Sequence, residues 1–128
     1  MSETTPTNGH TWNLGPLETK VMGALWSHGP LTVREVIDQL GEPLAYTTIA
    51  TVLGNLQRKE LVQPKRIGRS VQYRPRISSG EHGARLLQQA LLGTQDREAS
   101  ILHFVESMAE EDAQLLRDYL DQRHRSGS

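Results

Sequence analysis

Tyr46–Lys59 reads YTTIATVLGNLQRK, and its composition and its period disagree. Five of the first eight residues (Thr47, Thr48, Ile49, Thr51 and Val52) are β-branched, a composition that favours a strand. Ile49, Val52, Leu53 and Leu56 nevertheless fall at i, i+3, i+4 and i+7, the apolar spacing of a helix. Period decides, because one apolar face held on a core outweighs propensity losses of tenths of a kcal/mol per threonine. The spacing predicts a helix whose other side carries Tyr46, Thr47, Thr48, Thr51, Asn55 and Arg58.

Two further helices are expected before it. Pro16 suits a first helical position, Leu17, Val21, Met22 and Leu25 form an apolar face, and Gly29-Pro30 stops the run. A second helix opens at Thr32, where Thr32 and Glu35 have the spacing of a capping box. Its stripe is Val33, Val36, Ile37 and Leu40, and Gly41 ends it. After Lys59 the period changes. Residues 61–66 and 70–76 alternate like two short strands around Gly68, with Pro64 suited only to an edge. Three helices and a β-hairpin are the order of a winged helix-turn-helix.

Ser78-Ser79-Gly80 marks a boundary, and everything beyond it has a helical period. Helices are expected over about Glu81–Leu92, Gln95–Met108 and Glu110–Arg123. The expected fold class is mainly α with a small β-hairpin, a winged helix-turn-helix plus a C-terminal helical module. The expected organisation is a flexible tail over 1–13, a DNA-binding domain over 14–77, a helical dimerisation domain over 78–124 and a tail over 125–128. So short a module cannot bury three apolar faces alone, and association with a second copy is the usual remedy. Leu87, Leu91, Ile101, Leu102, Val105, Leu116 and Leu120 are the expected dimer contacts.

The charge is segregated. Residues 12–77 carry nine Lys/Arg against five Asp/Glu, whereas residues 78–128 carry five against nine. Seven of the cations (Arg58, Lys59, Lys65, Arg66, Arg69, Arg74 and Arg76) lie between 58 and 76, opposed only by Glu60. A groove-reading helix needs short side chains that donate, accept and touch a thymine methyl, and threonine does all three. The expected DNA-binding set is therefore Tyr46, Thr47, Thr48, Thr51, Asn55 and Arg58, with Arg66 and Arg69 gripping phosphate from the hairpin tip. Thr32 and Arg34 are weaker phosphate candidates.

No cysteine is present, which excludes disulfides and thiolate chemistry. The five histidines lack metal-ligand spacing, and no nucleophile elbow, P-loop or dinucleotide fingerprint occurs. Neither an enzyme nor a cofactor is expected. No apolar run approaches the ~20 residues that span a bilayer, and the N-terminus lacks a secretory pattern, so a cytoplasmic protein is expected. A winged-helix adaptor for another protein, or a regulator with a small-molecule pocket between dimer helices, are the alternatives; the basic hairpin argues against the adaptor.

L-E-x-x-V-M-x-x-L-W at Leu17–Trp26, Y-T-T-I-x-T-V-L-x-x-L at Tyr46–Leu56, K-x-L-V at Lys59–Val62 and G-R-x-x-x-Y-x-P at Gly68–Pro75 resemble the penicillinase-repressor family. The resemblance covers roughly residues 14–123 and is nearest to its BlaI-like branch. It implies a homodimeric winged-helix repressor on inverted repeats, with interlocking C-terminal helices. In the β-lactam branch it implies inactivation by proteolysis through a membrane-bound sensor-protease, at an Asn-Phe pair. His103-Phe104 occupies that place here, and the histidine departs from the pattern. The copper-responsive branch uses C-terminal cysteines, which this chain lacks. Several β-lactam repressors carry lysines where Thr47 and Ala50 stand, which implies a different operator.

Overall fold

Side chains near the helix starts set the boundaries of the first two elements in the computed structural model, which describes residues 12–127. Helix α1 (Pro16–His28) starts with proline, and the Gly15 N–H donates to Glu18 Oε1 at 3.0 Å. Helix α2 (Val33–Leu40) has the expected reciprocal box. The Thr32 N–H donates to Glu35 Oε1 at 2.9 Å, and the Glu35 N–H donates to Thr32 Oγ1 at 3.2 Å. Gly41 then takes a left-handed φ of 67°, which only glycine adopts without steric cost. Helix α3 (Tyr46–Arg58) is the opening stretch, and its period has won over its composition.

The three helices pack their apolar stripes together. Val21, Met22 and Leu25 of α1, Val36 of α2 and Ile49, Leu53 and Leu56 of α3 are completely buried. Leu61 and Val62 close the core from the chain that follows. Each such side chain contributes about 1.5–3 kcal/mol of burial, so α3 is fixed through one face and its other face is left for use.

Strands β1 (Val62–Ile67) and β2 (Ser70–Pro75) pair antiparallel, from Val62 opposite Pro75 to Ile67 opposite Ser70. Gly68, with φ 61°, turns the tip in two residues together with Arg69. A positive φ at the first turn position only is the type II′ pattern that suits strand twist. Leu31 adds a bridge on the far side of β2, exchanging both backbone hydrogen bonds with Tyr73 (3.0 and 2.7 Å). This explains Pro64. Tyr73 lies opposite Pro64 but spends its N–H and C=O on Leu31, so Pro64 holds a position where no ladder donor is needed. The β-bridge at Leu31 is not foreshadowed in the sequence, where Gly29-Pro30 reads only as a stop.

Helix α4 (Ser79–Gly93) starts two residues before the expected Glu81, because Ser78 Oγ accepts the Glu81 N–H at 3.0 Å and caps it. Helix α5 (Arg97–Glu106) is shorter than expected at both ends. Asp96 caps it by accepting the Ala99 N–H at 3.0 Å, and the Ser107 N–H closes it on His103 and Phe104. Helix α6 (Glu110–Ser126) runs past Arg123 to Ser126. Three acids in its first turn and Arg123, His124 and Arg125 in its last complement the helix dipole.

The chain forms two compact units, one ending at Leu87 and the other beginning at Gln88. In the first, Trp12 packs on the core and lies under the Arg85 guanidinium, 4.4 Å from the ring centroid. The rest of the expected N-terminal tail, apart from Asn13, lies outside the described residues. In the second unit no described residue is buried. Among the described residues no helix is long and apolar enough to cross a membrane.

Candidate nucleic-acid interface

Helix α3 divides cleanly by exposure. Ile49, Val52, Leu53 and Leu56 are buried, while Tyr46, Thr47, Thr48, Thr51 and Arg58 are exposed and Asn55 is half-exposed. The threonines share the first two turns of the outward side. Unlike α1 and α2, α3 begins at Ala45 with no side-chain cap and no acid in its first turn. Its positive end is therefore left unneutralised beside the threonines.

Two expected DNA-facing residues hold each other. Arg58 Nη2 donates to Asn55 Oδ1 one turn back. The carbonyl oxygen of Asn55 is thereby occupied, and its amide N–H groups remain as donors. Bidentate pairing with adenine needs both ends of the amide, so the conformation seen here suits a phosphate contact better.

The wing carries Lys65, Arg66 and Arg69 exposed around Gly68. Ile67 stands among them 48% exposed, at the last position of β1. Nothing in the sequence pattern singles out Ile67, since alternation gives it the look of a strand residue. Lys59, counted with the basic cluster, is used elsewhere. Its ammonium reaches both carboxylate oxygens of Glu18 at 2.9 and 3.1 Å and is a structural cation. Burial pushes the Glu18 carboxyl up, but the Gly15 N–H and the Lys59 charge outweigh it and hold the group below the usual glutamate range. Arg74 is half-buried, with its Nε sheltered and lacking a hydrogen-bond partner among the described residues. Arg34 places its guanidinium over the Tyr46 ring, 5.6 Å from the centroid, and so joins the start of α2 to the start of α3.

The second unit exposes its apolar side chains. Ile101, Leu102, Val105 and Leu120 are exposed, Leu91 and Leu116 half-buried, and Leu87, at the end of the first unit, exposed. Leu92 and Leu115 are exposed more fully still, at 79% and 69%. A largely apolar hollow of about 450 Å³ is lined by Met108, Leu115, Leu116 and Tyr119, with Asp112 beside them. His103 and Phe104 are both exposed on α5. Among the described residues no three His, Asp or Glu side chains are grouped so as to hold a metal ion.

A family model described as penicillinase repressor matches residues 14–122. A transcriptional regulator BlaI of Mycobacterium tuberculosis is 42% identical over 110 residues, which span 81% of this chain and 80% of that protein. Among solved structures, the PcaV transcriptional regulator of Streptomyces coelicolor, determined with its natural ligand, superposes with a TM-score of 0.50 at 22% identity, covering 90% of this chain and 77% of that one. A MarR family protein of Bacillus stearothermophilus gives 0.48 at 21%, covering 88% and 74%. The likeness to PcaV is one of fold, the winged helix.

Proposed function

Because the chain belongs to the penicillinase-repressor family, we propose that it represses transcription as a homodimer bound to an inverted-repeat operator. It is a transcriptional regulator and not an enzyme. The observation that carries the sequence-specific reading is the division of α3. One side is completely committed to the core, and the other is a row of exposed threonines beside an uncapped N-terminus and a basic wing. Such a face matches the major-groove edges of base pairs. Arg66 and Arg69 supply phosphate contacts that set affinity and orientation.

The dimer reading is supported by the second unit, in which Ile101, Leu102, Val105 and Leu120 stay in solvent in a single chain. Large apolar side chains exposed in this number on one short helical unit mark an association site. Two copies related by a two-fold axis would present two α3 helices to half-sites about 34–36 Å apart or a multiple of that. Repression follows from occupying promoter DNA in the cytoplasm.

Release by proteolysis at His103–Phe104 is the family's β-lactam-branch expectation. Both carbonyls accept hydrogen bonds from Ser107, so the peptide is part of a closed helix end. Cleavage there requires α5 to unwind first. Titration of the chain against the DNA upstream of its own gene, at several salt concentrations, tests the repressor reading. Saturable binding that a scrambled fragment does not compete away is expected. Binding indifferent to sequence contradicts it.

A further inference from the structure

A cleft of about 330 Å³ opens between the start of α2, the first turn of α3 and the wing. Thr32 and Arg34, Tyr46, and Arg69 and Ser70 bring polar groups to it from these three elements. None of the described residues lining it carries a carboxylate. Neither Arg34 nor Arg69 forms an ion pair among the described residues. Two guanidinium groups lining one cleft without a carboxylate make an anion between them favourable.

The start of α2 is not what makes the cleft anionophilic. The Thr32 N–H donates to Glu35 and the Thr32 hydroxyl oxygen accepts the Glu35 N–H, so of these groups only the hydroxyl proton is left to donate. The donors left over are side chains. Arg34 is partly restrained by its place over the Tyr46 ring, which lowers the rotamer entropy lost on binding. A planar guanidinium in that position offers paired N–H groups to two oxygens of one phosphate. The walls of the cleft are the first turn of the reading helix and the root of the wing tip. An anion here therefore belongs to the same duplex that those two elements approach.

We propose that this cleft seats one phosphodiester of the operator backbone, gripped by Arg34 and Arg69 with the Tyr46 hydroxyl as a further donor. The assignment rests on the repressor reading above and turns Arg34 from a weaker phosphate candidate into a holder of one defined phosphate. Its consequence is register. One phosphate held jointly by α2, α3 and the wing fixes how far α3 enters the groove and which base step Thr47 and Thr48 meet, without itself reading sequence.

The test replaces single operator phosphates by neutral methylphosphonates and measures affinity for wild type, Arg34→Ala and Tyr46→Phe. In wild type, one position per half-site is expected to cost about tenfold. Arg34→Ala should bind the natural operator about tenfold more weakly and lose most of its sensitivity at that position. Its preference for operator over scrambled DNA should persist, and its salt slope should fall by about 0.9 per half-site. Tyr46→Phe should show the same pattern to a smaller degree. Arg34 is exposed, and circular dichroism checks that its variant is folded. An Arg34→Ala protein with an unchanged salt slope and an unchanged methylphosphonate profile overturns the seat and leaves the repressor reading intact. Failure of the wild type to bind any operator removes both.

Discussion

Lys59 and Glu18 are joined by a two-oxygen ion pair across 41 positions of sequence, tying the end of α3 to the first turn of α1. Both side chains are largely sheltered. Lys59→Ala should therefore lower stability by about 1 kcal/mol, read from the denaturant midpoint, and leave the salt dependence of DNA binding unchanged. A drop in salt slope with no loss of stability would return Lys59 to the interface. The pair also sets an acid limit. Because the folded carboxyl is held below its ordinary value, its contribution is complete above that value and is lost as pH falls through the lower, folded one. Glu18→Gln should flatten that part of the stability profile.

The division of labour between α3 and the wing separates two classes of variant. Thr48→Ala removes one hydroxyl and one methyl from the exposed side of α3. It should weaken operator binding by about 1 kcal/mol and leave binding to scrambled DNA as it was. Arg69→Ala removes a phosphate contact at the wing tip, so both kinds of DNA should bind less tightly and the salt slope should fall by about 0.9 per half-site. Competition titrations at three salt concentrations distinguish them. Equal losses on both DNAs for Thr48→Ala would mean that α3 does not read bases there.

What the sequence discloses and what it hides have physical causes. The three helices and the hairpin are legible because Ile49, Val52, Leu53 and Leu56, the Thr32–Glu35 box and Gly68 act over short spans, where period and capping chemistry are local. The Leu31–Tyr73 bridge is invisible because a single paired residue leaves no alternation. The Lys59–Glu18 pair and the Arg34–Tyr46 stack join residues from different elements, and charge counting along the chain cannot distinguish a cation held in the fold from one offered to DNA. Helix ends shifted at Ser78, where Glu81 has the box spacing but turns its carboxylate to Arg85, and at Asp96, which caps α5 with no glutamate three residues on.

His82 is 7% exposed, and its ring lies 5.6 Å from that of Trp26 at an angle of 42°. Burial first, and the charge of Arg85 second, hold its pKa below the ordinary histidine value. Arg85 is in turn paired with Glu81 at 2.9 Å. As pH falls below about 6.5, the unfolded chain takes up this proton before the folded one, and stability falls until the folded pKa is reached. Above that window the residue has no effect on the slope. Urea titrations followed by tryptophan fluorescence should show the decline in wild type and a flatter profile in His82→Phe, which keeps the ring packing. Parallel profiles for the two proteins would assign the decline to other groups.

The apolar side chains of the second unit give the sharpest test of assembly. Leu102 and Leu120 are exposed in the single chain, so Leu102→Asp with Leu120→Asp removes nothing from the core of the first unit. In a dimer the same positions meet the other copy, and two carboxylates placed in that contact are strongly unfavourable. Sedimentation at micromolar concentration should show a dimer for wild type and a monomer for the double variant. Operator affinity should fall about a hundredfold or more as the two half-sites lose their linkage, while the thermal unfolding of the winged helix changes little. A wild type that sediments as a monomer would refute the dimer directly. A double variant that stays dimeric would place the contact on other residues of α4, α5 and α6.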